Sequence, residues 1–155
     1  LKYHRLKAVS QSRAWDLNES GQINLRIFNI DILYPTGYAY LGGSLEAIQR
    51  ELVIFLDRAG KAPFEIWLIG LKDVQGRAVI RKRLNRVRLG NLGDAKSVGG
   101  GVMELRVDFG PGYRVYFGED GPRIVVLLCG GDKSSQSKDI ENAKSFWAEY
   151  LNTKE

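Results

Sequence analysis

The sequence is short of the residues that most often carry metal and acid–base chemistry. It has one cysteine, one histidine and one methionine. With Cys129 alone, no intramolecular disulfide can form and a four-thiolate zinc site is excluded. Cys129 follows the apolar run Val125–Leu128 and reads as a small buried hydrophobe. His4 lies outside the part of the chain that carries fold-forming patterns, so a histidine-based metal site or a Ser-His-Asp triad is not available there. No apolar run approaches the roughly 20 residues of a membrane-spanning helix. No stretch has the pattern of a secretory signal, which makes a reducing cytoplasm the expected compartment. No membrane partner and no cofactor are expected.

What is present fits one domain, or one domain with a tail. At 155 residues the chain is long enough to bury a real core, and 44% hydrophobic with 26% charged residues is ordinary for a globular protein. A net charge of +5 permits a polyanionic partner without requiring one. The chain divides near Gly42-Gly43-Ser44. Before it, basic residues (Lys2, Arg5, Lys7, Arg13) mix with a polar patch, and Ile23, Leu25 and Ile27 form one short alternation with strand character. The chain begins at Leu1 and its methionine is Met103. We therefore expect residues 1–44 to be translated upstream sequence or a poorly structured extension, with the natural start at or near Leu45. The alternative is an extension that folds on the sheet through Leu25 to Leu33.

Residues 45–155 carry the pattern of an α+β domain. Leu52 to Leu56 is a compact strand ended by a turn at Asp57–Gly60. Pro63 suits the first helical position, and Phe64, Trp67, Leu68 and Leu71 recur at helical spacing. Asp73 is positioned to cap a second helix with Ala78, Ile80, Leu84 and Val87 as its apolar side, stopped by Gly90-Asn91 and Gly93-Asp94. Met103, Leu105, Val107 and Phe109 alternate with Glu104, Arg106 and Asp108, and after Gly110-Pro111-Gly112 a second alternation runs from Tyr113 to Phe117. Ile124 to Leu128 is continuously apolar, as in a central strand. A final helix presents Ile140, Ala143, Phe146, Trp147, Tyr150 and Leu151 on one side. The expected order is β-α-α-β-β-β-α, a mainly antiparallel sheet with the helices packed on one face.

Three features of this domain bear on chemistry. The first is the hairpin. A two-residue loop would set Arg106 against Phe117 and mix faces, whereas an odd loop over Gly110-Pro111-Gly112 keeps them consistent. That register predicts Arg106 opposite Tyr116 and Asp108 opposite Arg114. The pattern leaves two readings of this face, a solvated surface with cross-strand ion pairs or a binding site. The second is the turn Gly130 to Ser135, which places Lys133 beside the amides of a helix N-terminus. It reads either as a phosphate-holding turn or as a helix entry capped by Asp132 or a serine. It lacks the spacing of a nucleotide-binding P-loop. The third is the second helix, where Lys72, Arg77, Arg81, Lys82, Arg83, Arg86 and Arg88 stand against Asp73 alone. A charge run is commonly a solvated face. This one lacks interleaved acids and equally fits an electrostatic footprint for nucleic acid, with Lys96 adding to it.

The stretch Leu105 to Phe117, followed by Val125 to Gln136, resembles the RelE/ParE toxin superfamily, and within it the HigB-like addiction module killer proteins, also described as phage Gp49-like. Pro63-Phe64, Trp67-Leu68, Leu71-Lys72-Asp73 and Gly90 to Asp94 with Lys96 to Gly99 resemble the same branch, so the resemblance spans about residues 45–155. It implies a RelE-like fold and a toxin of a type II toxin–antitoxin system, partnered by a helix-turn-helix antitoxin from a neighbouring gene. For the RelE and HigB branches it implies cleavage of mRNA on the ribosome. Arg114 falls where the family has its phosphate-stabilising arginine, and Arg106 where RelE has a basic catalytic residue. Lys133 stands where RelE has an arginine after a strand-end glycine. Two departures accompany these matches. A further basic position is Glu104 here, and the catalytic tyrosine of the last helix has no counterpart between Ser134 and Glu141. Tyr116 is the candidate substitute. The resemblance for Arg106, Arg114 and Lys133, the hairpin register for Tyr116 and the charge pattern for Arg77, Arg81, Arg83, Arg86, Arg88 and Lys96 together lead us to expect an endoribonuclease in which the first four residues act on RNA gripped by the others. A ParE-like gyrase poison or an inactive homologue stays open beside it.

Overall fold

The structure, a computed structural model, describes residues 49–154 together with the backbone of two short strands, β1 (Asp16–Leu17) and β2 (Ile23–Asn24), which pair antiparallel. The remaining expectations for residues 1–48, including the division near Gly42 and the start near Leu45, lie outside the described residues.

The chain enters the sheet at β3 (Glu51–Ile54). Asp57 ends this segment by accepting hydrogen bonds from the amides of Ala59 and Lys61 on its Oδ1, an Asx-type turn. Helix α1 (Pro63–Gly70) opens with proline at its first position, where no amide partner is needed. Asp73 then caps α2 (Val74–Arg88), its Oδ1 accepting from Gly76 N at 2.9 Å while its Oδ2 accepts from the Tyr113 hydroxyl at 2.8 Å. One carboxylate thus ties the helix start to the sheet.

Four strands follow where the sequence pattern gives three. β4 (Ala95–Gly99) precedes β5 (Val102–Val107), β6 (Tyr113–Asp120) and β7 (Ile124–Gly131). The unpredicted β4 is a polar, glycine-ended edge strand, which is why no apolar alternation announces it. The sheet order is β3-β7-β6-β5-β4, with β3 parallel to β7 and every other pairing antiparallel. After the 3₁₀ turn Lys133–Ser135, helix α3 (Gln136–Asn152) closes the described chain.

The helices do not share a face, contrary to the sequence expectation. Phe64 and Leu68 of α1 and Ile80, Leu84 and Val87 of α2 pack with Leu105, Val115, Phe117 and Leu127 on one side of the sheet. Ala143, Trp147 and Tyr150 of α3 pack with Val102, Tyr116, Val126 and Leu128 on the other. The residues of β7 from Val125 to Cys129 are all buried because each face of that strand has a helix over it. Two glycines let indole rings lie flat on the sheet from opposite sides. A Cβ on Gly130 would come within 2.2 Å of the Trp67 ring, and one on Gly118 within 2.3 Å of Trp147.

The hairpin keeps the predicted parity but shifts by two residues. Val107 pairs with Tyr113, so Arg106 stands opposite Arg114 and Glu104 opposite Tyr116, while Asp108 leaves the ladder and is exposed. The shift follows from the loop itself. Gly110 and Gly112 adopt φ of 56° and 77°, and Phe109 N donates back to Val107 O at 2.8 Å, a tight turn that removes Asp108 and Phe109 from pairing. Among the described residues no helix is long and apolar enough to cross a membrane.

Candidate functional site

The sheet face under α3 carries two cross-strand rows of polar side chains. The first runs Lys96, Glu104, Tyr116 and Cys129 across β4, β5, β6 and β7. The second runs Arg106, Arg114 and Gly131 across β5, β6 and β7. Residues two apart on a strand share a face, so the rows lie side by side. Helix α3 starts over β7 at Gly131, where a Cβ would strike Asp139 Oδ2 at 1.9 Å. Glu104, Tyr116 and Cys129 of the first row are covered while Lys96 at its end is exposed, and the second row lies at the margin of the helix.

Glu104 is the centre of this arrangement and has no exposed surface. Its Oε2 accepts from Gln136 Nε2 at 2.8 Å and from the Tyr116 hydroxyl at 3.2 Å. Its Oε1 accepts from Arg106 Nε at 3.2 Å, with Lys96 Nζ at 3.7 Å. Arg114 Nε lies 3.6 Å from Oε2, and Arg114 Nη1 donates to Gly112 O at 2.7 Å. Burial pushes the carboxyl's pKa up, but the bonds from Gln136, Arg106 and Tyr116 and the charge of Lys96 outweigh it, and the group is held below its ordinary value. Glu104 is thus an ionised, fully engaged carboxylate, and sequence reasoning registered it only as a departure. Gln136, the first residue of α3, entered the sequence reading only as the end of the stretch that carries the resemblance, with no role attached to it.

Exposure decides which of these groups can meet a ligand. The side chains of Lys96 and Arg106 are 46% and 41% exposed, and that of Arg114 is 11% exposed. Lys133 is exposed and borders the same place, since a Cβ on Gly112 would lie 3.4 Å from Arg114 Nη1 and 3.8 Å from Lys133 Cβ. Arg106, Arg114 and Lys133 are thus brought together, with Lys96 on their flank. Tyr116 is not available in the same way. Its ring and hydroxyl are fully buried, and burial and the Glu104 charge raise its pKa far above the ordinary 10.0. It faces Glu104 rather than Arg106, a consequence of the shifted register, and it reaches no surface on which a substrate could lie.

The turn before α3 is a capped helix entry. Asp132 Oδ1 accepts from Ser134 N at 2.8 Å and Ser135 Oγ bonds back toward Asp132, a capping box. A side-chain carboxylate therefore occupies the position that a phosphate would take among these amides.

The arginines of α2 lie on the opposite face of the sheet from Arg106 and Arg114. Arg77 and Arg83 are turned to the fold, donating to Leu71 O and Leu92 O. Arg88 donates to Asn85 Oδ1 at 3.0 and 3.1 Å. Lys82 and Arg86 are exposed and Arg81 is half-buried. The helix is thus a mixed set of fold-holding and outward cations. Among the described residues no group of three or more His, Cys, Asp or Glu side chains is placed to hold a metal ion.

No family model matches the chain. Over 81 residues it is 52% identical to an uncharacterized protein of Haemophilus influenzae, a match spanning 52% of this chain and 82% of that protein. At that identity and coverage the chain belongs to the same family as the Haemophilus influenzae protein.

Proposed function

We propose that this protein is a toxin of a type II toxin–antitoxin system, in the HigB-like branch of the RelE/ParE superfamily, and that it cleaves mRNA on the ribosome. The observation that carries the reading is the direct pairing of Arg106 and Arg114 on adjacent strands, with Lys133 and Lys96 beside them. Like charges directly opposite each other destabilise a sheet, and the one carboxylate of Glu104 offsets only one of the three charges of Lys96, Arg106 and Arg114, so the cluster keeps net positive charge for an external anion. In RNA cleavage the 2′-oxygen attacks the adjacent phosphorus and the P–O5′ bond breaks, while the proton lost from the 2′-hydroxyl is matched by one gained at O5′. Negative charge grows on the equatorial oxygens of the pentacoordinate phosphate. Guanidinium groups fixed before the reaction stabilise that charge without reorganisation.

The test is a purified translation system with a defined message. Cleavage within the codon in the ribosomal A site is expected, with its loss in Arg114→Ala, and co-expression of the helix-turn-helix protein from the neighbouring gene should restore growth. Arrested growth with intact messages would overturn the RNase reading. One observation favours a second reading, a ParE-like action on a protein target: Tyr116, the candidate for proton transfer, is fully buried and bonded to Glu104. DNA breaks and an SOS response on expression would identify that case.

A further inference from the structure

We propose that Glu104, clamped by Gln136 and Tyr116, is a positioning residue that turns the Nε edges of Arg106 and Arg114 inward and so presents their remaining N–H groups to one phosphate. The inference rests on the reading of the cluster as a phosphate site. It concerns a residue at which this chain departs from the basic character that its resemblance implies.

The argument begins with repulsion. Arg106 and Arg114 are direct cross-strand partners on one face, a placement in which Cβ atoms stand roughly 4.5 to 5.5 Å apart. Left alone, two long cationic side chains would splay, each taking the rotamer that moves its charge away. Glu104 precedes Arg106 by two residues and so lies on the same face, one row deeper. Its two oxygens divide the work. Oε1 holds Arg106 Nε at 3.2 Å, and Oε2 faces Arg114 Nε at 3.6 Å. Arg114 Nε is buried with no hydrogen-bond acceptor, so Oε2 is the charge that orients it. The other edge of Arg114 is held by Gly112 O, which leaves its guanidinium little rotational freedom.

The carboxylate must itself be rigid to act as a reference point. Lys96 and Arg106 supply charge on one oxygen, and Gln136 and Tyr116 supply directed hydrogen bonds on the other. Gln136 is the first residue of α3 and Tyr116 lies in the middle of β6, so two elements besides β5 fix the carboxylate. With zero exposure it does not touch a ligand, and its effect passes through the two arginines.

The full-length chain tests this with Glu104→Gln, Glu104→Ala and Gln136→Ala, and with Glu141→Gln, an exposed carboxylate on α3, as the control. The first readout is side-chain NMR of arginine Nε–Hε groups, assigned with Arg106→Lys and Arg114→Lys. The Arg106 Hε of the wild type is expected to exchange with solvent at least tenfold more slowly than in Glu104→Gln, and the control should leave it unchanged. The second readout separates affinity from turnover. For a single-stranded oligoribonucleotide, Glu104→Gln should bind as tightly as wild type or tighter, because a negative charge has gone. Its cleavage rate in the translation system should fall roughly tenfold to a hundredfold, the scale of a misplaced catalytic group. A merely structural role would lower both together. Unchanged Arg106 exchange, or wild-type turnover in Glu104→Gln, overturns the proposal. If the Glu104 variants fail to fold, Gln136→Ala takes their place, with loss of turnover and retained affinity again expected. A wild type that binds RNA without cutting it refutes the proposed function, and the NMR exchange then decides the positioning role by itself.

Discussion

Arg83 and Arg106 look alike in the sequence, and the fold gives them opposite roles that a paired substitution can separate. Arg83 is half-buried on α2, donates through Nη2 to Leu92 O and packs against Gly93, where a Cβ would lie 2.8 Å from the guanidinium. Burial, and then the neighbouring charge of Arg86, pull its pKa below the ordinary arginine value. It anchors the turn that delivers the chain to β4. Arg83→Ala removes a charge-assisted hydrogen bond worth about 1.5 to 3 kcal/mol, which for a domain of this size corresponds to a fall in Tm on the order of 10 °C. Arg106 is 41% exposed, so its ion pair with Glu104 is partly screened and its contribution to stability is discounted. Its loss should appear instead in the salt dependence of RNA binding, where each phosphate contact to a single strand contributes about 0.7 to the slope of log K against log salt. The assay is a fluorescence anisotropy titration of a single-stranded RNA at several salt concentrations, with thermal melts of the same samples. Arg106→Ala should lower the slope by about 0.7 and Arg83→Ala should leave it unchanged. Equal slopes with equal melting temperatures would refute the division of these arginines into ligand-facing and fold-holding.

Three further outcomes are expected. Gly118→Ala and Gly130→Ala each drive a methyl into an indole ring, at 2.3 and 2.2 Å, and should destabilise the domain by about 1 to 3 kcal/mol with a change in tryptophan fluorescence. The carboxyls of Asp73, Glu104, Asp120 and Asp132 have folded pKa values below their ordinary 3.8 or 4.5, so each adds stability that is fully present above the unfolded value and is lost as pH falls through the folded one. Melting temperature should therefore hold level from about pH 7 down to about 5 and drop below about 4, and a rise in stability on acidification would contradict the bonding described. Cys129 is buried and its thiol pKa is pushed up to about 12, chiefly by burial, so iodoacetamide at neutral pH should label it only after unfolding.

The helices, the parity of the hairpin and the inner position of β7 were legible because each follows from a local period or a cap. The register was not, because a polypeptide turn containing Gly110 and Gly112 closes with three or five residues while keeping the same parity. β4 was hidden for a different reason: as an edge strand it buries little and needs no apolar alternation. The placement of the helices is encoded in two separate segments of the sequence. An apolar run from Ile124 to Cys129 needs cover on both faces, and the stripe of α3 needs a surface of its own. Taken together these require α3 to lie opposite α1 and α2.

That placement changes the meaning of every polar residue on β5. Alternation alone assigns Glu104 and Arg106 to the same solvated face, yet α3 ends its cover between them, leaving one with no exposure and the other 41% exposed. Three features that stood apart in the sequence then become one arrangement. Glu104 stands where the proposed family would have a basic residue, Lys96 lies across from it on β4, and the segment from Ser134 to Glu141 holds Gln136 and no tyrosine. A carboxylate under a helix needs cations and directed donors, and Lys96 and Gln136 supply one of each. Two of these features meet in one hydrogen bond, from Gln136 Nε2 to Glu104 Oε2. Restoring a basic residue at Glu104 alone would set it among Lys96, Arg106 and Arg114 with no carboxylate between them, so a cation at this position requires compensating changes at its neighbours, whereas a neutral residue there does not.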